Sequence, residues 1–214
     1  MAIIPADEKV FMVDKRTNTT YGGSQALQDM QQWYTMQDVS DSVQPYKVFT
    51  ALLTQSGGDD PQTQSSGSVQ KGVTYFVDGG TIGLTDFSNV GGEFQTPDTG
   101  SYYFIATIDG TPNEYGGATA DYNGGAPVVT VLENTIGNIW FTYDVTGLYS
   151  ANSDALFTVN KTVSFNSVST DPGNPDFITI QNSNVNTVSI KQFDFNGDLV
   201  NTITAASIEI RVYN

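Results

Sequence analysis

The chain has 214 residues, of which 12% are aromatic and 14% charged, and its formal net charge is −15. This apolar content is enough for a buried core, so the composition is not that of a disordered chain. There is no cysteine and no histidine. Their absence excludes disulfides, thiolate nucleophiles and the usual Ser-His-Asp and Cys-His catalysis. We therefore expect a protein that is not an enzyme and that uses no cofactor, and we assign no metal-binding residues.

The acidic residues are concentrated in the middle of the chain. Residues 51–160 carry a single cation, Lys71, against twelve acids. Such a segment repels polyphosphates, so we expect no nucleic-acid partner. The pattern is typical of a solubilised surface, and calcium-binding loops are the alternative interpretation.

The beginning of the chain predicts cytoplasmic synthesis. The segment 1–9 becomes charged too early for a signal peptide. No apolar run approaches the length of about 18 residues that a membrane-spanning helix needs. We therefore expect no membrane partner, and any role outside the cell would depend on lysis or assembly.

The N-terminal region combines a short strand-like run, 10–13, with a predicted helix over 25–38. Gly22-Gly23 separates the two, and Ser24 is a suitable N-cap. Four apolar residues at spacings of three and four give this helix one narrow buried stripe. They are Leu27, Met30, Trp33 and Tyr34. A lone helix of this length is marginal in water. The stripe must therefore dock on the chain's own β-domain or on a neighbouring subunit, and both remain open.

From Tyr46 onward the pattern predicts strands and turns. The predicted strands are 46–54, 73–78, 101–109, 127–133, 138–143, 156–165, 177–182, 187–194, 199–204 and 207–213. Many short, evenly spaced strands favour an all-β fold, and we predict an antiparallel β-sandwich with a short N-terminal helix. Asn196-Gly197 between two alternating runs predicts a hairpin. The oxygen-bearing residues Asp194, Asn196 and Asp198 also resemble the start of a calcium loop, but the distal glutamate is missing.

Two Gly-rich polar stretches, 57–72 and 110–126, bracket a block that has its own aromatic residues. We interpret this block as an inserted small β-module, since exposed loops tolerate insertions. The predicted organisation has three parts. They are an N-terminal arm and helix for docking or oligomerisation (1–44), a β-sandwich body (45–57 plus 126–214) and an inserted β-module (58–125).

Two segments on either side of this block carry a resemblance to a known group of proteins. "PYKVFTALLTQSG" (45–57) and "GAPVVTVLENTIGNIWFTYDVTGLYS" (125–150) resemble one continuous sequence found in structural proteins of tailed bacteriophages. Within the block, "GVTYFVDGGTIGLTDFSNVGG" and "SYYFIATIDGTPNEY" resemble phage sequences too, although Gly92 and Asp109-Gly110 depart from the usual pattern.

The resemblance implies a virion protein made in the host cytoplasm. We expect a capsid-decorating or head-fibre protein that attaches to other virion proteins through its N-terminal arm. A tail or fibre component is the alternative. Symmetric assembly is the rule for such proteins, and a homotrimer is favoured.

A host-surface binding module is a further hypothesis. Four tyrosines in or beside the Gly-rich loops are candidate glycan contacts: Tyr102, Tyr103, Tyr115 and Tyr122. The alternative is that these rings cap the core of the module. Tyr102 and Tyr103 are neighbours on a predicted strand, so one of them should lie on the outer face. A glycan-degrading enzyme would need a pair of carboxylates, and no such pair is brought together by spacing.

Overall fold

The computed structural model describes residues 11–14, 19–22, 45–97, 99–166 and 177–213. The chain divides into two compact units, Met1–Pro45 and Tyr46–Asn214. In the first unit, β1 (Phe11–Asp14) pairs antiparallel with β2 (Thr19–Gly22). The predicted helix and its docking residues, Leu27, Met30, Trp33 and Tyr34, lie outside the described residues.

The second unit is built of strands, and a 3-10 helix (Ser88–Val90) is the only helix among its described residues. Its strands are β3 (Tyr46–Ser56), β4 (Pro61–Gln64), β5 (Thr74–Gly79), β6 (Tyr102–Ile105), β7 (Ala118–Asn123), β8 (Val128–Asn134), β9 (Ile139–Val145), β10 (Leu148–Ser153), β11 (Thr162–Asn166), β12 (Phe177–Asn182), β13 (Thr187–Phe193) and β14 (Thr202–Tyr213). In the described part of the chain, no helix has the length and apolar character needed to cross a membrane.

These strands form three antiparallel sheets of four strands each. Sheet I has the order β12-β13-β10-β9, sheet II the order β11-β14-β3-β8, and sheet III the order β4-β7-β5-β6. The prediction of an all-β fold with antiparallel sheets is therefore confirmed for the described residues.

Sheets I and II bury one common apolar cluster. Alternate residues of β3, among them Phe49 and Leu53, are fully buried on one face, as the strand period requires. Phe49 of sheet II contacts Phe141 of sheet I, with ring centroids 5.9 Å apart. Further members of the cluster are Val129, Ile139, Tyr149, Ile190, Ile208 and Ile210. The two sheets therefore stabilise each other through shared burial of apolar surface.

Sheet III has a second apolar cluster, centred on aromatic rings. Tyr75 stacks on Phe104 at 5.7 Å between ring centroids, and Phe87 meets Tyr115 edge to face at 5.0 Å. Tyr75 of β5 and Phe104 of β6 are paired neighbours on one face of sheet III, and Phe87 and Tyr115, from the connecting segments, join them in the cluster. All strands of this sheet come from residues 61–123.

The chain leaves β3 and returns toward β8 at adjacent positions, and we call this place, residues 55–60 with 124–125, the crossing. Gln55 Nε2 donates to the carbonyl oxygen of Gly125 at 3.0 Å. The amide of Gly124 donates to the carbonyl oxygen of Asp60 at 2.8 Å. Beyond this crossing, Leu53 of β3 lies opposite Val129 of β8. This is the geometry that an insertion at 58–125 requires, and the domain boundaries themselves stay a prediction.

The close approach of the Gly58 and Gly125 backbones allows a test of the crossing. A Cβ at Gly125 would overlap the carbonyl oxygen of Gly58 and would lie 2.7 Å from its carbonyl carbon. We expect Gly125→Ala to lower the free energy of unfolding by about 2 kcal/mol, because two backbone segments must move apart. The matched control is Gly100→Ala, since its Cβ would meet nothing within 4 Å. Equal urea midpoints for the two variants would contradict the crossing.

Several predicted strands differ from those observed. β4 and β7 lie in stretches predicted as Gly-rich loops, and β10 lies between the predicted strands 138–143 and 156–165, where no strand was predicted. The predicted strands 199–204 and 207–213 form one strand, β14, with a bulge between Ile203 and Ala206. Ala205 takes the extra position with φ of 48°.

The predicted Asn-Gly hairpin is correct only at its turn. Phe193 and Leu199 form a bridge across the turn. The two flanking strands then separate, because β13 belongs to sheet I and β14 to sheet II. The turn therefore works as a corner between sheets rather than as the tip of a regular hairpin.

Candidate binding groove

Tyr102 and Tyr115, two of the four candidate glycan residues, pack in the aromatic cluster of sheet III. The Tyr102 hydroxyl accepts from the amide of Glu93 at 3.0 Å and donates to the Glu93 carbonyl at 3.1 Å. The Tyr115 hydroxyl accepts from Gln64 Nε2 at 2.8 Å. Because their rings and hydroxyls are engaged in this way, the two residues have a structural role here.

Tyr103 and Tyr122 lie on opposite faces of sheet III. The Tyr122 ring packs on the buried Tyr75, with centroids 5.2 Å apart. Tyr103, by contrast, is absent from the buried cluster and contacts Phe76 and Trp140 on the other face. The expectation that one of Tyr102 and Tyr103 lies on the outer face is therefore met by Tyr103.

Tyr103 belongs to a row of side chains that crosses all four strands of sheet III. It lies opposite Phe76 of β5, Phe76 lies opposite Asp121 of β7, and Asp121 lies opposite Thr63 of β4. Directly paired residues project from the same face of a sheet. The row therefore places two aromatic rings, a carboxylate and a hydroxyl side by side.

A strip of three aromatic rings continues this row onto sheet I. The centroids of Phe76 and Tyr103 are 4.6 Å apart. Tyr103 stacks on Trp140 of β9 at 4.9 Å, with an angle of 2° between the ring planes. Asn138 Nδ2 donates to the Tyr103 carbonyl at 2.9 Å and fixes the two strands at this point. All three rings are partly exposed, so the strip presents apolar surface to solvent.

A groove with a volume of about 320 Å³ separates this face of sheet III from β9. Its lining includes the row residues together with Tyr122, Asn123, Thr142 and Tyr143. Trp140 is not a lining residue and adjoins the groove through its stacking on Tyr103. The Thr74 hydroxyl accepts from the amide of Phe141 at 3.1 Å, which joins the two walls in the buried part. The volume lies near the lower end of the range of about 300–1,000 Å³ for small-ligand sites.

Asp121 is the one charged residue in the lining of this groove. Its Oδ1 atom is shielded from solvent and has no hydrogen-bond partner. A shielded carboxylate oxygen without a donor is costly, and such groups in native proteins call for an explanation such as a bound ligand or water. Asp121 therefore marks the point of the groove where a hydrogen-bond donor would bind.

Glycoside hydrolysis commonly uses two carboxyl groups that flank the scissile bond, whereas a single carboxylate lines this groove. Within the described ranges, no group of three or more acidic side chains is placed to hold a metal ion.

The Asp194–Asp198 turn, considered above as a calcium loop, uses its own backbone donors. Asp194 Oδ1 accepts from the amides of Asn196 and Asp198, both at 2.9 Å. The backbone amide of Asp198 is the main cause that holds the pKa of Asp194 below its usual value. The carboxylate therefore stabilises the corner between sheets I and II.

The buried tyrosines give a pH prediction. Burial raises the pKa of Tyr102 to about 12 and also raises the pKa of Tyr75, Tyr115 and Tyr149. Unfolded tyrosine has a pKa of about 10. Above this pH the unfolded chain releases phenol protons that the folded protein keeps. The stabilisation is therefore complete below about pH 10 and is lost as the pH rises toward about 12.

We expect the thermal midpoint to fall between about pH 10 and 12, and to fall less steeply in Tyr102→Phe. Ultraviolet absorbance of the phenolates measures the titration directly. Of the eleven tyrosines, a subset should ionise only together with unfolding. An identical pH slope in Tyr102→Phe and in the unmodified protein would contradict the assignment to Tyr102.

Sequence reasoning missed Phe76, Asp121 and Trp140. Phe76 was counted only as part of the block with its own aromatic residues, and Trp140 appeared only within the segment 125–150 that carries the resemblance. Asp121 was only one of many acids, because β7 was predicted as a loop. The alternation of Phe76 with the buried Tyr75 and Val77 was the one signal in the sequence that pointed to the outer face.

Comparison with known proteins gives no relative for this chain. No protein-family model, no curated protein and no solved structure matches it.

Proposed function

We propose that this protein is a structural component of a bacteriophage particle, namely a capsid-decorating or head-fibre protein attached through its N-terminal arm. The proposal begins from the resemblance of residues 45–57 and 125–150 to virion proteins. Those two segments resemble one continuous sequence, so they should be neighbours in space if the resemblance is meaningful.

The observation that carries the proposal is the pairing of β3 with β8. Leu53 lies opposite Val129, and Leu52 lies opposite Thr130. The residues that interrupt the phage-like sequence begin and end at adjacent positions, where Gln55 donates to the Gly125 carbonyl. These contacts support a phage-type core sequence into which a further segment is inserted.

The finer architecture belongs to the same proposal. Sheets I and II, with their common apolar cluster, form a β-sandwich body, and residues 58–125 form a module on it. Residues 1–44 form the arm whose helix docks on another virion protein or assembles three copies. The separate compact unit Met1–Pro45 supports an arm that is distinct from the body.

Particles purified from lysates of cells that carry this coding sequence provide the test. We expect mass spectrometry to detect the chain in them, and immunogold labelling to place it on the capsid. Labelling of the tail would favour the tail or fibre alternative. A chain found only in the soluble fraction would overturn the virion assignment.

The arm can be tested on the purified protein. Light scattering should give the mass of an oligomer, with three chains favoured, or a monomer whose residues 1–44 are cleaved readily by protease. A compact monomer with a protected N-terminus would count against a docking arm.

A second function, recognition of host-surface glycans, is favoured by the groove beside the strip of aromatic rings. Aromatic faces with a few convergent polar groups are the usual composition of small-ligand sites. The two functions are compatible, since a receptor-binding protein is also part of the particle. An array of oligosaccharides tests this function separately from the particle experiment, and the absence of any bound glycan would remove it.

A further inference from the structure

We propose that the groove between sheet III and β9 binds a neutral oligosaccharide and that Asp121 accepts hydrogen bonds from its hydroxyl groups. This inference rests on the glycan-recognition function proposed above. It moves the binding site from the Gly-rich loops to the outer face of sheet III. Of the four tyrosines named from the sequence, Tyr103 and Tyr122 line this groove, and Tyr102 and Tyr115 do not.

The aromatic strip is the apolar part of the site. Phe76, Tyr103 and Trp140 are partly exposed and lie in contact with one another. The C–H face of a pyranose ring is apolar, and burying it against aromatic rings removes both surfaces from water.

The polar part of the site lies in the same row. Asp121 is paired with Phe76 on one side and with Thr63 on the other. A sugar carries several hydroxyl donors, and hydrogen bonds to an ionised acceptor are the stronger ones. A small opening of the groove at Asp121 would let a sugar hydroxyl reach the shielded Oδ1 atom and donate the hydrogen bond that this atom lacks.

The charge of the groove selects the class of ligand. Asp121 is the one charged side chain in its lining, with no lysine or arginine beside it, and the whole chain has a net charge of −15. Sialylated, sulfated and phosphorylated glycans would be repelled because like charges disfavour binding. Neutral sugars are compatible with both the carboxylate and the rings.

A quaternary ammonium ligand is the strongest competitor for this site. Such ions bind to cages of aromatic rings. In this groove two of the rings are already stacked on each other, with Tyr103 parallel to Trp140 at 4.9 Å. Stacked rings form a strip rather than a cage, so we favour the sugar.

The test uses the full chain on an array of neutral, sialylated and sulfated oligosaccharides, with phosphocholine as a separate probe. The best neutral hit is then titrated. In a Trp33→Phe background, Trp140 is the single remaining tryptophan. It stacks on the lining residue Tyr103, so its fluorescence should respond to occupancy of the groove. We expect binding to a neutral oligosaccharide and a change in Trp140 emission that saturates with it.

Two variants locate the site. Asp121→Asn keeps the shape of the side chain but removes its charge, and we expect it to weaken binding at least about tenfold. Asp154→Asn, the matched control, makes the same charge change at an exposed position outside the groove lining and should leave affinity unchanged. Tyr103→Leu should also weaken binding, and thermal unfolding shows whether each variant is folded.

Each outcome decides between the hypotheses. Neutral binding that Asp121→Asn weakens and Asp154→Asn leaves intact supports the groove. Neutral binding that is unchanged in Asp121→Asn overturns the groove but leaves glycan recognition standing. Binding only to acidic glycans or only to phosphocholine overturns the ligand class. No binding at all removes both the groove and the glycan function, while the virion proposal is judged by the particle experiment.

Discussion

Replacing Gln55 by leucine is expected to lower the free energy of unfolding by about 3–5 kcal/mol, although leucine has a similar volume. Gln55 is buried, with 3% of its surface exposed. Its Oε1 accepts from the Tyr149 hydroxyl at 2.8 Å, and its Nε2 donates to the carbonyl oxygens of Gly57 at 2.8 Å and Gly125 at 3.0 Å. One side chain thus connects β10, the end of β3 and the point where the chain returns toward β8.

The size of this effect comes from the groups that the substitution leaves behind. Leucine can neither accept from Tyr149 nor donate to the two carbonyls, and each buried polar group without a partner costs about 1–3 kcal/mol. The buried Tyr149 hydroxyl keeps a second acceptor, Asn201 Oδ1 at 3.0 Å, so the loss comes mainly from the two carbonyls that lose the Gln55 donor. The result should therefore exceed the cost of one ordinary hydrogen bond.

Urea denaturation followed by circular dichroism measures this difference. Gln181→Leu, at an exposed position of β12, is the matched control and should change the free energy of unfolding by less than about 0.5 kcal/mol. Tyr149→Phe should give a smaller loss than Gln55→Leu, because the carbonyl contacts of Gln55 remain. A change in Gln55→Leu no larger than that of the control would show that Gln55 does not hold the crossing.

Phe49→Ala is expected to destabilise the protein by about 3–5 kcal/mol, the range for a buried phenylalanine. Phe49 has no exposed surface and lies on the face of β3 that packs against sheet I. Its ring is 5.9 Å from that of Phe141, centroid to centroid. Alanine would leave a cavity between the two sheets, which relax only in part.

The same substitution tests whether sheets I and II share one core. Phe49→Ala and Phe141→Ala, alone and combined, form a double-mutant cycle, and contacting residues should show a coupling of at least about 0.5 kcal/mol. Phe177→Ala on β12 is the control, because its side chain is 47% exposed, and it should cost far less. Strictly additive losses in Phe49→Ala and Phe141→Ala would contradict direct packing of the two sheets.

The sequence predicts strands well where β-branched and aromatic residues alternate along a face. β12 is observed at the predicted bounds, Phe177–Asn182, and β3 and β13 differ from prediction by a few residues at their ends. In these segments the local pattern and the burial agree, so no distant contact is needed to specify the strand.

The strands β4 and β7 could not be predicted in the same way. Pro61–Gln64 contains no large apolar residue, and Ala118–Asn123 follows two glycines. They are strands because they pair with each other and because β7 also pairs with β5. Such pairing depends on residues more than about 35 positions apart in the chain, which a local pattern does not contain.

The candidate site shows the same limit. Alternation correctly predicted that one of Tyr102 and Tyr103 lies on the outer face. It could not say that Trp140 stacks on that ring, because Trp140 comes from another sheet. Asp121 could be identified as a site residue only from the structure, in which β7 places it opposite Phe76 of β5. Neither contact has a signature in local sequence.

The adjacency of Gly58 and Gly125 has a practical consequence for engineering. A foreign domain whose own termini lie close together can be grafted between these positions without rerouting β3 or β8. The graft would uncover Trp140, whose stacking partner comes from the replaced segment, so a polar substitution there should accompany it to prevent aggregation. With that change, residues 46–57 and 126–213 become a candidate scaffold for displaying cargo.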